Sequence, residues 1–283
     1  MGEHEPYALA LGLRAAGGSR RGPLHAQNED AFRLAESVDP AARATHGDLY
    51  IVCDGVGGHR QGAVASTLAV DAVAQAYFAA PPGDPAANLA AAIAVANREV
   101  HRSGEAEREN AGMATTVVAA AVLERKIVVA NVGDSRAYLI RDGAIEQLSR
   151  DHSLVQDQVE SGMITPAEAR ASPRRNIITR ALGLAGTVET DLSARPRPAP
   201  RARLLLCTDG VHGVLDDTEL AEIAGRMMPA AAVRAILDLV EERRGSDDAS
   251  LIVVAIDGEP GSASVSFPGI VARALRRLTG NRG

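Results

Sequence analysis

Short runs that are apolar at almost every position recur along this chain: Tyr50–Cys53, Ala114–Leu123, Ile127–Val132, Leu204–Cys207 and Leu251–Ile256. Runs of this length, bounded by polar or glycine-rich segments, predict strands buried on both faces. Looser runs predict flanking strands at Tyr7–Arg14, ended by the small residues Ala15–Ser19, and at Ala137–Ile140, Ala144–Leu148, Ile177–Leu182 and Val188–Leu192. From Ala114 to Leu148 the strands follow one another closely enough to read as an antiparallel meander, its last hairpin turned by Asp142-Gly143.

Elsewhere the period becomes helical. Gly62 to about Ala79 is alanine-rich with apolar residues at helical spacing, and Pro81-Pro82-Gly83 breaks it. Asp84 caps a second helix that opens with Pro85 and runs to about Arg102, so two consecutive helices are predicted to pack as an antiparallel pair. Ser103 to Asn110 is charged and reads as a solvated connection. Ser153 leads into a helix, Thr165-Pro166-Ala167-Glu168 is a capping box, Asp216–Glu219 and Pro229 start two more, and Ala230–Arg244 carries an apolar stripe.

Against this background the acids are not scattered. Tyr50–Cys53 stops at Asp54, followed by Gly55-Val56-Gly57-Gly58, and Leu204–Cys207 stops at Thr208-Asp209-Gly210. The shared grammar predicts two central strands delivering Asp54 and Asp209 to one place. Asp30, Asp134 and Asp247 also stand at strand boundaries. Carboxylates gathered in one pocket repel strongly and need a multivalent cation to neutralise them. An all-oxygen set selects a hard ion, Mg²⁺ or Mn²⁺, and no clustered Cys/His pattern points to zinc.

Composition narrows the field. The chain has 283 residues, 46% of them hydrophobic, and a formal charge of −6, which disfavours nucleic acid as partner. No apolar run is read as membrane-spanning, the first residues lack the pattern of a signal peptide, and a cytoplasmic protein without stable membrane insertion is expected. Cys53 and Cys207, inside strand-like runs, read as buried thiols. Neither opens a Cys-x5-Arg loop, since Arg60 stands one residue too far from Cys53 and Gly213 occupies the corresponding place after Cys207. A P-loop is absent, because the only lysine, Lys126, is not in a Gly-Lys-Ser/Thr context.

Seven motifs occur in one order: Asn28-Glu29-Asp30, Asp54-Gly-Val-Gly-Gly-His59, Gly112-Met-Ala-Thr-Thr116, Val132-Gly-Asp-Ser-Arg136, Leu148-Ser-Arg-Asp-His152, Leu206-Cys-Thr-Asp-Gly210 and Asp247-Asp-Ala-Ser250. Together they resemble the metal-dependent protein phosphatase family, type 2C, in its bacterial single-domain form. The resemblance implies an α+β fold, a four-layer α-β-β-α sandwich of two mostly antiparallel sheets flanked by helix pairs. It implies a catalytic domain over residues 1–257, a flap insertion at about 153–176 and a flexible tail over 258–283. The implied activity is hydrolysis of phosphoserine and phosphothreonine in proteins, with a serine/threonine kinase and its substrates as partners.

By the same resemblance, Asp54 bridges two Mn²⁺ or Mg²⁺ ions and the Gly55 carbonyl joins one of them. Asp209 and Asp247 complete the other, Asp30 acts through water, and Asp134 with Asp209 holds a weaker third ion. Two ions sharing a water bring its pKa toward neutrality and make it the nucleophile. His59 is the candidate general acid, with loop orientation as its alternative role. Asp248 replaces a frequent Asn and is expected to act behind the ligands. Where family members commonly carry a phosphate-binding Arg, His25 stands instead. Three solutions stay open: His25 takes the role, Arg20 or Arg21 reaches in, or the metals bind the phosphate largely alone. The alternative to an active enzyme is a catalytically weak, phosphatase-like regulatory binding module, against which the full acidic set argues.

Overall fold

The computed structural model describes residues 7–8, 12–35, 40–56, 60–106 and 112–258. In chain order the strands are β1 (Tyr7–Ala8), β2 (Leu13–Arg20), β3 (Ala31–Ala35), β4 (Asp48–Cys53), β5 (Gly55–Val56), β6 (Ala114–Thr115), β7 (Val117–Val122), β8 (Lys126–Val132), β9 (Arg136–Arg141), β10 (Ala144–Gln147), β11 (Asp191–Pro196), β12 (Ala202–Cys207) and β13 (Ala249–Ile256). The helices are α1 (Pro40–His46), α2 (Arg60–Ala79), α3 (Pro85–Ala106), α4 (Leu154–Glu160), α5 (Pro166–Ala171), α6 (Asp209–His212), α7 (Asp217–Arg226) and α8 (Pro229–Glu242).

Two antiparallel sheets stack face to face, one ordered β1-β2-β13-β12-β9-β10 and the other β11-β8-β7-β4-β3. Alternation within each apolar strand explains why both faces are covered. In β4, Tyr50 and Val52 meet Leu204, Leu206, Ile252 and Val254 between the sheets. Its other face, Leu49, Ile51 and Cys53, packs on Val73 and Tyr77 of α2 and Leu89 and Ile93 of α3. On the opposite side Leu205, Cys207, Leu251 and Val253 pack on Leu220 of α7 and Val233 and Ile236 of α8. The four layers expected from the sequence are present.

Local signals hold in several places. Ser153 caps α4, and the capping boxes at Thr165 and Asp216 are formed with Glu168 and Glu219. Asp142 and Gly143, at φ 53° and 81°, make the tight hairpin turn between β9 and β10. Cys53 and Cys207 are buried free thiols.

The structure corrects five expectations. β2 runs straight through Ala15–Ser19, because strand continuity there needs small residues rather than being ended by them: a Cβ on Gly17 would lie 2.5 Å from the Phe32 ring and one on Gly18 2.5 Å from Val233 Cγ1. The meander splits, since β8 pairs with β7 in one sheet while β9 pairs with β12 in the other, the chain crossing over at Gly133–Ser135. Ile177–Leu182 makes only isolated bridges, Ser153 with Ile178 and Thr115 with Leu182. The charged connection begins later than expected, as α3 continues to Ala106, with residues 107–111 outside those described. Finally, Gln61–Ala79 is long and apolar enough to cross a membrane by length and composition alone, yet half of that stretch is buried inside the fold because α2 serves as a core helix. The expected tail lies outside the described residues apart from Gly258.

Candidate metal centre

Antiparallel pairing brings the acids to one edge of the sandwich. Ala31 lies opposite Cys53, so Asp30, entering β3, faces Asp54, leaving β4. Cys207 lies opposite Leu251, which sets Asp209 beside the segment that enters β13. Asp134 arrives in the crossover from β8 to β9. Two glycines allow the close approach: a Cβ on Gly55 would stand 2.2 Å from the Gly62 carbonyl oxygen, and one on Gly210 only 1.9 Å from that of Asp248.

Electrostatics show how tightly the five acids are grouped. Burial carries the Asp54 carboxyl well above the usual range, and repulsion from Asp30, Asp209, Asp134 and Asp247 adds to it. Asp134 is pushed up to about 8 by burial and then by Asp209 and Asp151. Asp209 is pushed up to about 6 by burial and Asp247, while a hydrogen bond shared with Asp54 and the charge of Arg175 oppose the shift. Asp30 is raised well above its ordinary value by burial, against hydrogen bonds from Ser250 and Thr208, the latter's Oγ1 donating at 2.9 Å. The buried Oδ1 atoms of Asp30 and Asp209 have no hydrogen-bond partner. Mutually repelling carboxyls with orphaned buried oxygens and oxygen-only donors fit a hard divalent cation.

Around this cluster the backbone is fixed by groups that the sequence reading did not single out. Thr116 N–H and Thr115 Oγ1 both donate to the Asp54 carbonyl at 2.8 Å, and Asp54 N–H donates to Thr116 Oγ1 at 2.9 Å. His212 Nε2 donates to the Asp134 carbonyl at 3.1 Å, its imidazole kept neutral by burial, which lowers its pKa to about 3. Gly133 N–H donates to Nδ1 of buried His152 at 3.0 Å. Only the Thr-Thr and Asp-His dipeptides within the motifs signalled these roles.

At the rim, the two departures noted in the sequence meet. His25 Nδ1 lies 2.8 Å from Asp248 Oδ2 and 3.7 Å from Asp247 Oδ1, and the Asp248 bond raises the imidazole pKa. Asp248 is 2% exposed and accepts the Gly22 and Glu29 N–H groups at 2.7 Å each. Arg20 is committed elsewhere, to Leu237 O at 2.9 Å, Asp238 at 3.0 Å and Glu241. Arg21 bonds the His25 carbonyl. Neither is aimed at the acids. Two other arginines act on the cluster through their charge: Arg136 on Asp134, and on Asp209 the exposed Arg175, whose guanidinium has no hydrogen bond or ion pair among the described residues. His59, with Gly57 and Gly58, lies outside the described residues.

The family description "Protein phosphatase 2C" matches residues 15–246. The serine/threonine phosphatase stp of Listeria monocytogenes is 38% identical over 207 residues, 72% of this chain and 79% of the relative. The serine/threonine protein phosphatase PstP of Mycobacterium tuberculosis is 34% identical over 272 residues, 96% of this chain and 50% of that longer protein. Among solved structures, the PstP catalytic domain in complex with two manganese ions superposes with a TM-score of 0.75 at 33% identity, covering 87% of this chain and 99% of that one. Stp1 of Staphylococcus aureus gives 0.78 at 32% identity, covering 86% and 95%.

Proposed function

This chain belongs to the protein phosphatase 2C family, and from that premise we propose how its own residues remove phosphate from phosphoserine and phosphothreonine in proteins. Asp54, the Gly55 carbonyl, Asp209 and Asp247 would hold two Mn²⁺ or Mg²⁺ ions. Asp30 would act through water, and Asp134 with Asp209 would hold a weaker third ion. When bound, the ions supply an acidified water as nucleophile and neutralise charge on the phosphoryl oxygens. The observation that carries this assignment is the pair of orphaned, buried Oδ1 atoms on Asp30 and Asp209 beside Asp54, whose carboxyl is held well above its ordinary value by burial and then by the charges of Asp30, Asp209, Asp134 and Asp247.

The remaining roles belong to the rim. Arg175 and His25 face the substrate phosphoryl group, the first as a free guanidinium, the second held against Asp248. Residues 153–176, carrying α4 and α5, form a flap over the site, rooted by Leu154 N–H to Ile177 O at 2.9 Å and Thr179 N–H to His152 O at 2.8 Å. His59 is the candidate acid for the departing alkoxide. The substrates are cytoplasmic phosphoproteins, among them a serine/threonine kinase.

Hydrolysis of a phosphothreonine peptide tests the reading. Activity is expected with Mn²⁺, lost with chelator, and lowered more than about 100-fold in Asp209→Asn, beyond what outer-shell changes commonly cost. A wild-type protein inactive with Mn²⁺ points to a binding module, and an Asp209→Asn protein as fast as wild type removes Asp209 from the site.

A further inference from the structure

We infer that Thr116 is a positioning residue that holds the Asp54 and Asp134 turns together against the repulsion of their carboxyls. This rests on the reading of Asp54 as a metal ligand. Thr116 is 1% exposed and its hydroxyl sits between two partners, accepting the Asp54 N–H at 2.9 Å and lying 2.7 Å from Ser135 Oγ. Ser135 is itself 1% exposed and directly follows Asp134. One hydroxyl thus links the end of β4, in one sheet, to the crossover through which the chain enters the other.

The need for such a link follows from the charges. Asp134 and Asp54 repel each other, and neither carboxyl has a basic side chain bonded to it among the described residues. The Thr116 hydroxyl bonds the Asp54 amide and the Ser135 hydroxyl, so it fixes where the carboxyls begin without consuming their oxygens. Those oxygens stay available to a cation. The fit is tight on the other side of the same residue as well: Gly133 has φ +108°, and a Cβ there would lie 2.5 Å from Thr116 Cγ2. The methyl therefore seats the crossover while the hydroxyl ties it. A buried hydroxyl making two bonds also cannot be removed without stranding its partners, the Asp54 amide and the Ser135 hydroxyl.

Calorimetric titration of the full chain with Mn²⁺ alone tests this without relying on turnover. Thr116→Val, which keeps the shape and removes the hydroxyl, is expected to weaken Mn²⁺ uptake about tenfold, as loss of an outer-shell partner commonly does. Thr116→Ser is expected to restore affinity to within about threefold of wild type. A folded Thr116→Val protein that binds Mn²⁺ like wild type overturns the inference. Should Thr116→Val not fold, Ser135→Ala decides, with about threefold to tenfold weaker uptake expected and unchanged uptake counting against the link. Asp54→Asn, titrated alongside, separates the two levels: uptake unaffected there sinks the assignment of Asp54 itself, whereas uptake lost there but normal in Thr116→Val sinks only the role of Thr116.

Discussion

The proposed phosphoryl site takes in Arg175, a cation whose charge acts on Asp209. The sequence offered His25, Arg20 and Arg21 because they lie near Asn28-Glu29-Asp30 in the chain. In the structure Arg20 bonds the C-terminal half of α8, and the free guanidinium comes from Arg175, far along the chain. A charge-assisted hydrogen bond is worth about 1.5–3 kcal/mol, and the upper part of that range is lost to solvent screening at an exposed residue. Arg175→Ala is therefore expected to raise KM for a phosphothreonine peptide about tenfold with kcat within about twofold. Steady-state kinetics at saturating Mn²⁺ checks it, and an unchanged KM would remove Arg175 from substrate binding. His25 reads differently from its sequence context because Asp248, the other departure, is its partner at 2.8 Å.

Among the elements, β2 shows how packing overrides a local signal. Glycine pairs ordinarily mark a break, yet Gly17 and Gly18 sit inside a strand paired residue by residue with β13. Gly17 lets Phe32 and Leu34 come close on the inner face, and Gly18 lets Val233 and Leu237 of α8 do so on the outer. Helix α8 carries four buried branched residues, Val233, Ile236, Leu237 and Val240, against this sheet, so a shift there is felt along its length. Gly18→Ala would overpack that contact and is expected to destabilise the fold by about 1–3 kcal/mol. Urea unfolding measures it. Stability equal to wild type would mean that α8 can retreat freely, contrary to this packing.

For the whole molecule, the acidic centre couples metal, pH and stability. Asp134 and Asp209 hold pKa values of about 8 and about 6 in the fold, above the ordinary carboxylate value near 4. Groups raised in this way contribute stability that is present below about pH 4 and lost as pH rises through the folded values. His25, also raised, works in the same direction. His212 and His152, lowered by burial, have the opposite sign, but their contribution is lost only as pH falls below about 6.5. The interval from pH 7 to 8.5 therefore leaves out His212 and His152 and reads the raised acids together with His25. Metal-free protein is expected to lose about 1–2 kcal/mol across it, a fall of several degrees in Tm. Saturating Mn²⁺ should abolish that fall, since ions bound to the native state alone stabilise it. Thermal melts in chelator and in Mn²⁺ check this, and a metal-free Tm that rises with pH would show that the acids do not crowd one another.

Much of this protein was legible before any coordinates. Alternation and apolar runs specify strands covered on both faces, capping residues start the helices where they are found, and Asp54-Gly55 and Asp209-Gly210 announce the centre because strand ends followed by glycine leave carboxylates exposed to one another. These are properties of period and local chemistry, which a chain displays residue by residue. Tertiary structure decided the rest: that the meander divides between two sheets at Gly133–Ser135, that Gly17 and Gly18 continue a strand, that Arg20 is tied to α8 while the charge of Arg175 acts on Asp209, and that Thr116 joins two turns. Each depends on which surfaces meet across the sandwich, and no local pattern encodes the distance between residues that are neighbours only after the sheets have stacked.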